Sequence, residues 1–305
     1  MKLLACLPLL LLAAASAPSR PEIQVAPAAM RLWMPREGRV SWVSDGVHVS
    51  IAPAPCDNPP RSEGCRFDPQ NNQAEVTVTP ANGAPVTVRT SNQTSYYRLA
   101  VVRFHAGDAR PGLVIENQSG GSAGDVWVQL LLPEGAGYHE QWLPDRLQGA
   151  LPATLADLSG DGAIDLVFED GRFAYVFGCG ACTPRPPRVF TVRAGKPVDV
   201  SREPGYARAY RAEMARLAPI CLSSRRYRNG ACAAYVADAA RVGQFDKAWA
   251  KMLRHWERAE NDLWQSCSVP RSAWAGDNCP PASSSHYRTF PESLRAFLRA
   301  TGYIP

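Results

Sequence analysis

Between Asp157 and Asp165 the chain reads D-L-S-G-D-G-A-I-D. Asp157, Ser159, Asp161 and Asp165 take positions 1, 3, 5 and 9 of a tight loop, and Ala163 can add its backbone carbonyl at position 7. Alternate residues of such a loop turn their side chains inward, and a hard cation such as Ca2+ wants roughly six to eight oxygens at short range. Gly162 permits the sharp bend. Three carboxylates this close repel one another unless something neutralises them. The spacing therefore points to a structural calcium loop with Asp157, Ser159, Asp161, Ala163 and Asp165 as ligands. It is not an EF-hand, because Phe168 stands where the bidentate glutamate belongs and the flanks read as strands. A solvated Asp-Gly turn between two strands is the other reading of the same residues.

The cysteines are the second group with chemistry. Cys56, Cys65, Cys179, Cys182, Cys221, Cys232, Cys267 and Cys279 follow a segment of export character, and an even number in that context reads as disulfides. Their spacing suggests local pairs, 56–65, 179–182, 221–232 and 267–279, with other connectivities open. Cys179-Gly-Ala-Cys182 has redox spacing, but a catalytic pair needs a helix N-terminus to depress a thiol pKa. A strand is expected before it and "TPRPP" follows, so a structural bridge is the better reading.

Other candidates are weaker. "GGSAG" at 120–124 fits the hydrolase pattern around Ser122, yet that motif needs a helix after the serine, and "DVWVQLLL" is a strand. His48, His105, His139, His255 and His286 show no metal-ligand spacing to one another or to cysteine. His139 and Glu140 are adjacent, and a strand would send them to opposite faces. Arg225, Arg226 and Arg228 form a basic knot without a nucleic-acid-binding motif, so no nucleic acid is expected as a partner. Aromatics in "RSAWAGDN" and "SSSHYRTF" suit sugar or peptide stacking, or gap filling in a loop. The sequons at Asn92 and Asn117 matter only in a eukaryotic host.

These residues need elements to hold them. "MKLLACLPLLLLAAASAPSR" has one lysine, an apolar run and small residues up to Ala17, the layout of a secretory signal over residues 1–17. "LLAC" ending at Cys6 looks like a lipoprotein box, but almost no apolar region precedes it. No later run is long enough to span a bilayer, so no transmembrane segment is expected. Residues 18–202 read as antiparallel β. "RVSWVSDGVHVSIA" and "AEVTVTPANGAPVTVRT" are hairpins around "DG" and "NG", followed by "YYRLAVVRF", "GLVIEN", "DVWVQLLL", "LVFED" and "RFAYVFG". Residues 203–305 read as helical, over 206–218, 230–243, 245–267 and 291–302. In the third helix Trp249, Met252, Leu253, Trp256 and Leu263 share one face. From Glu203 onward 15 Lys and Arg stand against 9 Asp and Glu, whereas the whole chain carries only +5, so the β part is near neutral.

"ADLSGDGAIDLVF" resembles the "D-x-[DN]-x-D-G-x-x-D-L" core of FG-GAP/VCBS repeats, the blades of integrin-like β-propellers. The resemblance implies a calcium loop between two strands, with Asp157, Asp161 and Asp165 as ligands; Ser159 departs from the usual Asp or Asn. The segment from "KPVDVSREPG" through "GQFDKAW" is similar to the end of some secreted bacterial proteins that carry this repeat and have no known function. A shift of 53 residues lays "VRFHAGDARPGLVIEN" (102–117) on "LADLSGDGAIDLVFED" (155–170), with Gly107, Asp108, Leu113, Val114 and Glu116 matching. Phe104 and Gly112 replace the first and last ligands, as in a degenerate blade.

The expectation is an α+β protein. An antiparallel β domain, built as a partial propeller or as sandwich-like hairpins, precedes a small, basic, disulfide-tied α-helical domain. It is exported, to a periplasm or the exterior, and serves as a binding or structural module with one structural Ca2+. Its partner would be an envelope or surface protein or polysaccharide. The alternative is a hydrolase of envelope polymers, with its site at the interface between domains.

Overall fold

Asp45 and Gly46 both adopt left-handed backbone conformations (φ 46° and 72°), which suits a two-residue hairpin turn. This turn joins β2 (Val40–Ser44) to β3 (Val47–Pro53); β4 (Ala74–Pro80) and β5 (Val86–Arg89) complete a four-stranded antiparallel sheet in sequence order. The computed structural model describes residues 23–54, 73–91, 94–121, 124–144, 147–181, 183–223, 227–259, 262–274 and 279–305. The expected signal segment, Cys56, Cys65, Asn92, Ser122, Cys182, Arg225 and Arg226 lie outside them.

The second sheet contains β1 (Arg31–Trp33), β6 (Tyr96–Val102), β7 (Gly112–Gln118), β8 (Asp125–Glu134) and β9 (Gly137–Trp142). It continues through β10 (Leu147–Gln148), β11 (Leu166–Asp170), β12 (Pro187–Arg193) and β13 (Lys196–Asp199). The order is β1-β6-β7-β8-β10-β11-β12-β13, with β9 paired to the far half of β8, and every pairing is antiparallel. Period-two alternation gives this sheet two apolar faces. Leu99, Val101, Leu113, Ile115 and Leu131 pack with Trp42, Val49, Ile51, Val76 and Val78 of the four-stranded sheet. Ala100, Val102, Val114, Val128 and Leu130 face the other way, into a core shared with Leu166, Phe168, Phe190 and Val192. The sheet curls until the β12–β13 turn meets β9, where His139 Nε2 lies 2.9 Å from the Gly195 carbonyl oxygen.

Helices follow: α1 (Ala207–Ser223), α2 (Arg228–Arg241), α3 (Phe245–Met252) and α4 (Phe290–Ala300). In α2 every residue from Asn229 to Ala239 is buried, most of them Ala, Gly or Cys. Small side chains let other elements surround a helix closely on all sides. A capping box starts α4, with the Thr289 side chain and Glu292 each accepting from the other's backbone N–H. Among the described residues no helix is long and apolar enough to cross a membrane.

Two expected elements are different in the structure. The amphipathic run 245–267 is helical only to Met252. Beyond it, Arg254 N–H and His255 N–H fold back on the Lys251 and Met252 carbonyls. Asn229 of α2 takes both backbone groups of Glu257, accepting from its N–H at 2.9 Å and donating to its C=O at 2.9 Å. Trp256 and Leu263 still pack against the helical core, so the spacing reports burial and not helix. Leu253, placed on the apolar face, is exposed, and His255 falls beyond the helix end. The chain then forms a two-stranded ladder of β14 (Ser266–Cys267) and β15 (Ser284–Ser285). The second correction is "RFAYVFG", which is a 3-10 turn at Gly171–Phe173 and a loop, not a strand. Phe173 and Phe177 leave the sheet and insert edge-on among Phe290, Phe297 and Tyr303, with centroids 4.8–5.5 Å apart. A 3-10 turn and a loop, not a strand, therefore lead into Cys179.

Candidate functional site: the acidic loop, its clasp and a basic groove

The loop 157–165 closes on itself through a bridge between Ala156 and Asp165. Gly160 and Gly162 take left-handed conformations (φ 81° and 85°) that a side chain would strain. Asp157, exposed, accepts from Gly160 N–H at 2.6 Å and Gly162 N–H at 2.8 Å. Those amides, Gly162 foremost, hold its carboxyl below the usual range. Asp161 accepts from Ala163 N–H at 3.0 Å, which lowers its pKa in the same way. Ser159 Oγ lies 3.3 Å from Asp157. Ala163 is buried and pairs with His105, which places the degenerate loop 104–112 directly beside the acidic one. Asp165, the ninth position, is buried; it accepts from the backbone N–H groups of Leu158 and Ser159 and from the Tyr206 hydroxyl at 2.6 Å. Burial, reinforced by that bond, raises the Tyr206 pKa.

Asp157, Ser159 and Asp161 thus neighbour one another, while Asp165 divides its oxygens, Oδ2 to N–H groups of the loop and Oδ1 to Tyr206. Among the described residues no three His, Cys, Asp or Glu side chains are grouped so as to hold a metal. Sequence spacing missed the partners from outside the loop. Tyr206 is one. Arg193 is another, joining Asp161 at 3.5 Å to Glu203 at 2.5 Å. Gly205 comes so close that an added Cβ would stand 3.0 Å from Ser159 Cβ. The loop is therefore a clasp between the β sheet and the start of α1. A second clasp closes the far end of β11: buried Asp170 accepts from Arg172 and from the Tyr303 hydroxyl at 2.9 Å, and Arg172 donates to the Thr301 carbonyl.

Cys221 and Cys232 are bonded, with Cα atoms 4.6 Å apart, and Cys267 and Cys279 likewise at 5.9 Å. Both separations suit unforced bridges. Cys179 is also disulfide-bonded. Among the described residues no histidine joins a group of three that could hold a metal. His105 sits 3.6 Å from Asp108, and His139 and Glu140 point to different partners, Gly195 and Gln129. Asn117 is buried, its amide donating to the Trp127 carbonyl and Gln129, so its sequon is not accessible.

Among the described residues, concavities open in the helical part. One, of about 420 Å3 at its junction with the β sheet, is lined by Arg202, Arg241, Tyr303 and the last residues of the chain. Another is an open groove of about 730 Å3 along α4, walled by Trp249, His286, Tyr287, Arg288, Arg295 and Arg299. One buried acid has no place in these clasps. Asp238 of α2 is fully buried, and neither carboxylate oxygen has a hydrogen-bond partner.

Fold and site together define an antiparallel β unit clasped through an acidic loop to a disulfide-tied helical unit. Residues 204–302 match the family described as the sll0997 C-terminal domain. The chain is 32% identical over 156 residues to "Probable thylakoid lumen protein sll0997" of Synechocystis sp., an alignment covering 50% of this chain and 44% of that one. It is 26% identical over 156 residues to "Uncharacterized protein y4bJ" of Sinorhizobium fredii, covering 49% and 24%. The chain thus spans less than half the length of the curated relatives it matches. The family match leaves the acidic loop outside its limits. No solved structure matches.

Proposed function

We propose that the chain is an exported protein of periplasmic, lumenal or extracellular type that acts as a binding or structural module. Residues 18–202 form its β unit and 203–305 its helical unit. The observation that carries the reading is the pair of disulfides within the basic helical segment, because such bridges persist in oxidising compartments. The name of the Synechocystis relative, a probable thylakoid lumen protein, supports the same kind of compartment. The open groove along α4 supports binding. The test is to express the full chain with its leader, fractionate the cells, and map thiols by alkylation and mass spectrometry. Recovery in the cytosol with free Cys221 and Cys232 sinks the reading. Screening the purified chain against polysaccharide and peptide arrays tests binding; release of cleaved product from such polymers favours the hydrolase alternative.

A second reading concerns the loop. Oxygen-bearing positions 1, 3, 5 and 9, with the mutual approach of Asp157, Ser159 and Asp161, favour a structural Ca2+ and an FG-GAP/VCBS-like blade. The consecutive antiparallel runs β2 to β5 and β6 to β9 have the form of blades. For the cation to bind, Asp165 has to turn an oxygen from Tyr206 toward the loop centre. Binding to the folded form alone stabilises it by about 2.7 kcal/mol at a hundredfold excess over Kd. Melting with calcium and with chelator measures this, and Asp161→Ala should abolish the difference. Identical melting of the wild type in both conditions leaves only a turn.

A further inference from the structure

The groove along α4 says more about what is bound. Arg295 and Arg299 stand four residues apart on α4, and Arg288 and His286 lead into that helix from β15. Among the described residues the guanidinium groups of Arg288 and Arg295 have no ion-pair or hydrogen-bond partner. Arg295 lies over Trp249 at 4.6 Å, and Arg299 uses Nε for the Pro305 carbonyl, leaving the rest of its fork free. Like charges four apart on a helix repel, and the ring and carbonyl contacts of Arg295 and Arg299 leave their guanidinium charges without a carboxylate partner among the described residues. Among the described residues that line it, the one carboxylate is Glu292, whose Oε2 accepts from the N–H groups of Arg288 and Thr289. The walls therefore set three guanidinium groups against one carboxylate, a net positive surface.

We propose that this groove binds a carboxylate-bearing polysaccharide, a chain of uronic-acid type; the proposal rests on the reading of the protein as a binding module. The guanidinium fork matches a carboxylate with two parallel hydrogen bonds. Arg295 and Arg299 are about 6 Å apart along the helix axis at 1.5 Å rise per residue, and Arg288 extends the row, so the matching ligand repeats its charges along a chain. The groove is open, which lets a polymer lie in it. A peptide N–H can only donate, whereas each sugar hydroxyl can also accept from the guanidinium groups that dominate these walls. A sugar ring instead sets its C–H face against Pro291 and Ala296, between the charges.

The test is calorimetric titration of the full chain with short polygalacturonate, with neutral dextran, poly-L-glutamate and oligo-dT as comparison probes. Polygalacturonate should bind, dextran should not, and Arg288→Glu and Arg299→Glu should each weaken binding about tenfold or more. Both side chains are exposed, so an unchanged melting temperature verifies that each variant is folded. Wild type that ignores polygalacturonate overturns the proposal. Variants that bind it as wild type does overturn the site but leave the binding-module reading standing. Tighter binding of poly-L-glutamate or oligo-dT overturns the choice of polysaccharide.

Discussion

Asp238→Asn is the most informative single change. Asp238 lies within α2, wholly buried, with both oxygens unpartnered. Burial raises its pKa well above the ordinary aspartate value; Glu213 adds to the rise, while Arg216 and Arg241 oppose it. The unfolded chain releases this proton near the ordinary value of about 3.9, and the folded chain keeps it to higher pH. Between those two values the folded state binds one proton more, so folding stability falls by about 1.4 kcal/mol per pH unit. The contribution is fully present below the unfolded pKa and is lost as pH rises through the folded one. Asparagine has nearly the same shape and no proton to lose, so the variant lacks this slope. With an unfolding entropy of roughly 2.1 cal/mol/K per residue, 1.4 kcal/mol corresponds to about 2 °C in a chain of this size. The assay is thermal and urea unfolding of both proteins at close pH intervals from about 4 to about 7. Other titrating groups occur in both proteins and largely cancel in the difference. The two should coincide at the acid end, and the variant should gain about 2 °C per unit until the folded pKa is passed. Parallel curves across the window, or a variant less stable at every pH, refute a buried, unpartnered acid.

Three other outcomes are expected. Tyr206→Phe removes the hydroxyl donor to buried Asp165 and should cost about 1.5–3 kcal/mol in urea unfolding; unchanged stability means the loop is no clasp. Replacing Cys221 and Cys232 by Ala opens a bridge of sequence separation 11 and should cost about 3 kcal/mol on the loop-entropy account, with a matching fall in denaturant midpoint. Gly112→Ala places a Cβ against the Leu131 carbonyl and the Phe104 ring and should destabilise by about 1–3 kcal/mol. Gly107→Ala, with open space around it, serves as the control and should stay close to wild type.

Legibility followed locality. The β2–β3 hairpin could be read because Asp45-Gly46 sits between two alternating runs, and both turn chemistry and periodicity act within a few residues. The end of α2 was legible for the same reason, as Gly243 (φ 69°) follows its last turn. The run 245–267 deceived because burial of Trp256 and Leu263 depends on Asn229, a distant residue that captures Glu257. "RFAYVFG" deceived similarly: its aromatics look like strand residues, but they pack against rings of α4, more than a hundred residues away. At the acidic loop the donor positions were visible in the spacing. The phenol from Tyr206 and the guanidinium from Arg193 were not, since nothing local in a sequence announces partners 41 and 32 residues on.

The insertion of Phe173 and Phe177 into the helical core bears on how portable that unit is. The family match begins at residue 204, yet two of the rings that fill its interior are supplied from upstream of that point. Transplanted alone, residues 204–302 would carry an empty aromatic socket and an apolar surface around it, inviting aggregation. A graft that takes the stretch from Asp170 onward brings its own plug, and with it the Asp170–Tyr303 bond. The portable piece is therefore longer than the piece that sequence similarity outlines. Gene fusions that preserve this plug should yield soluble proteins where shorter ones do not.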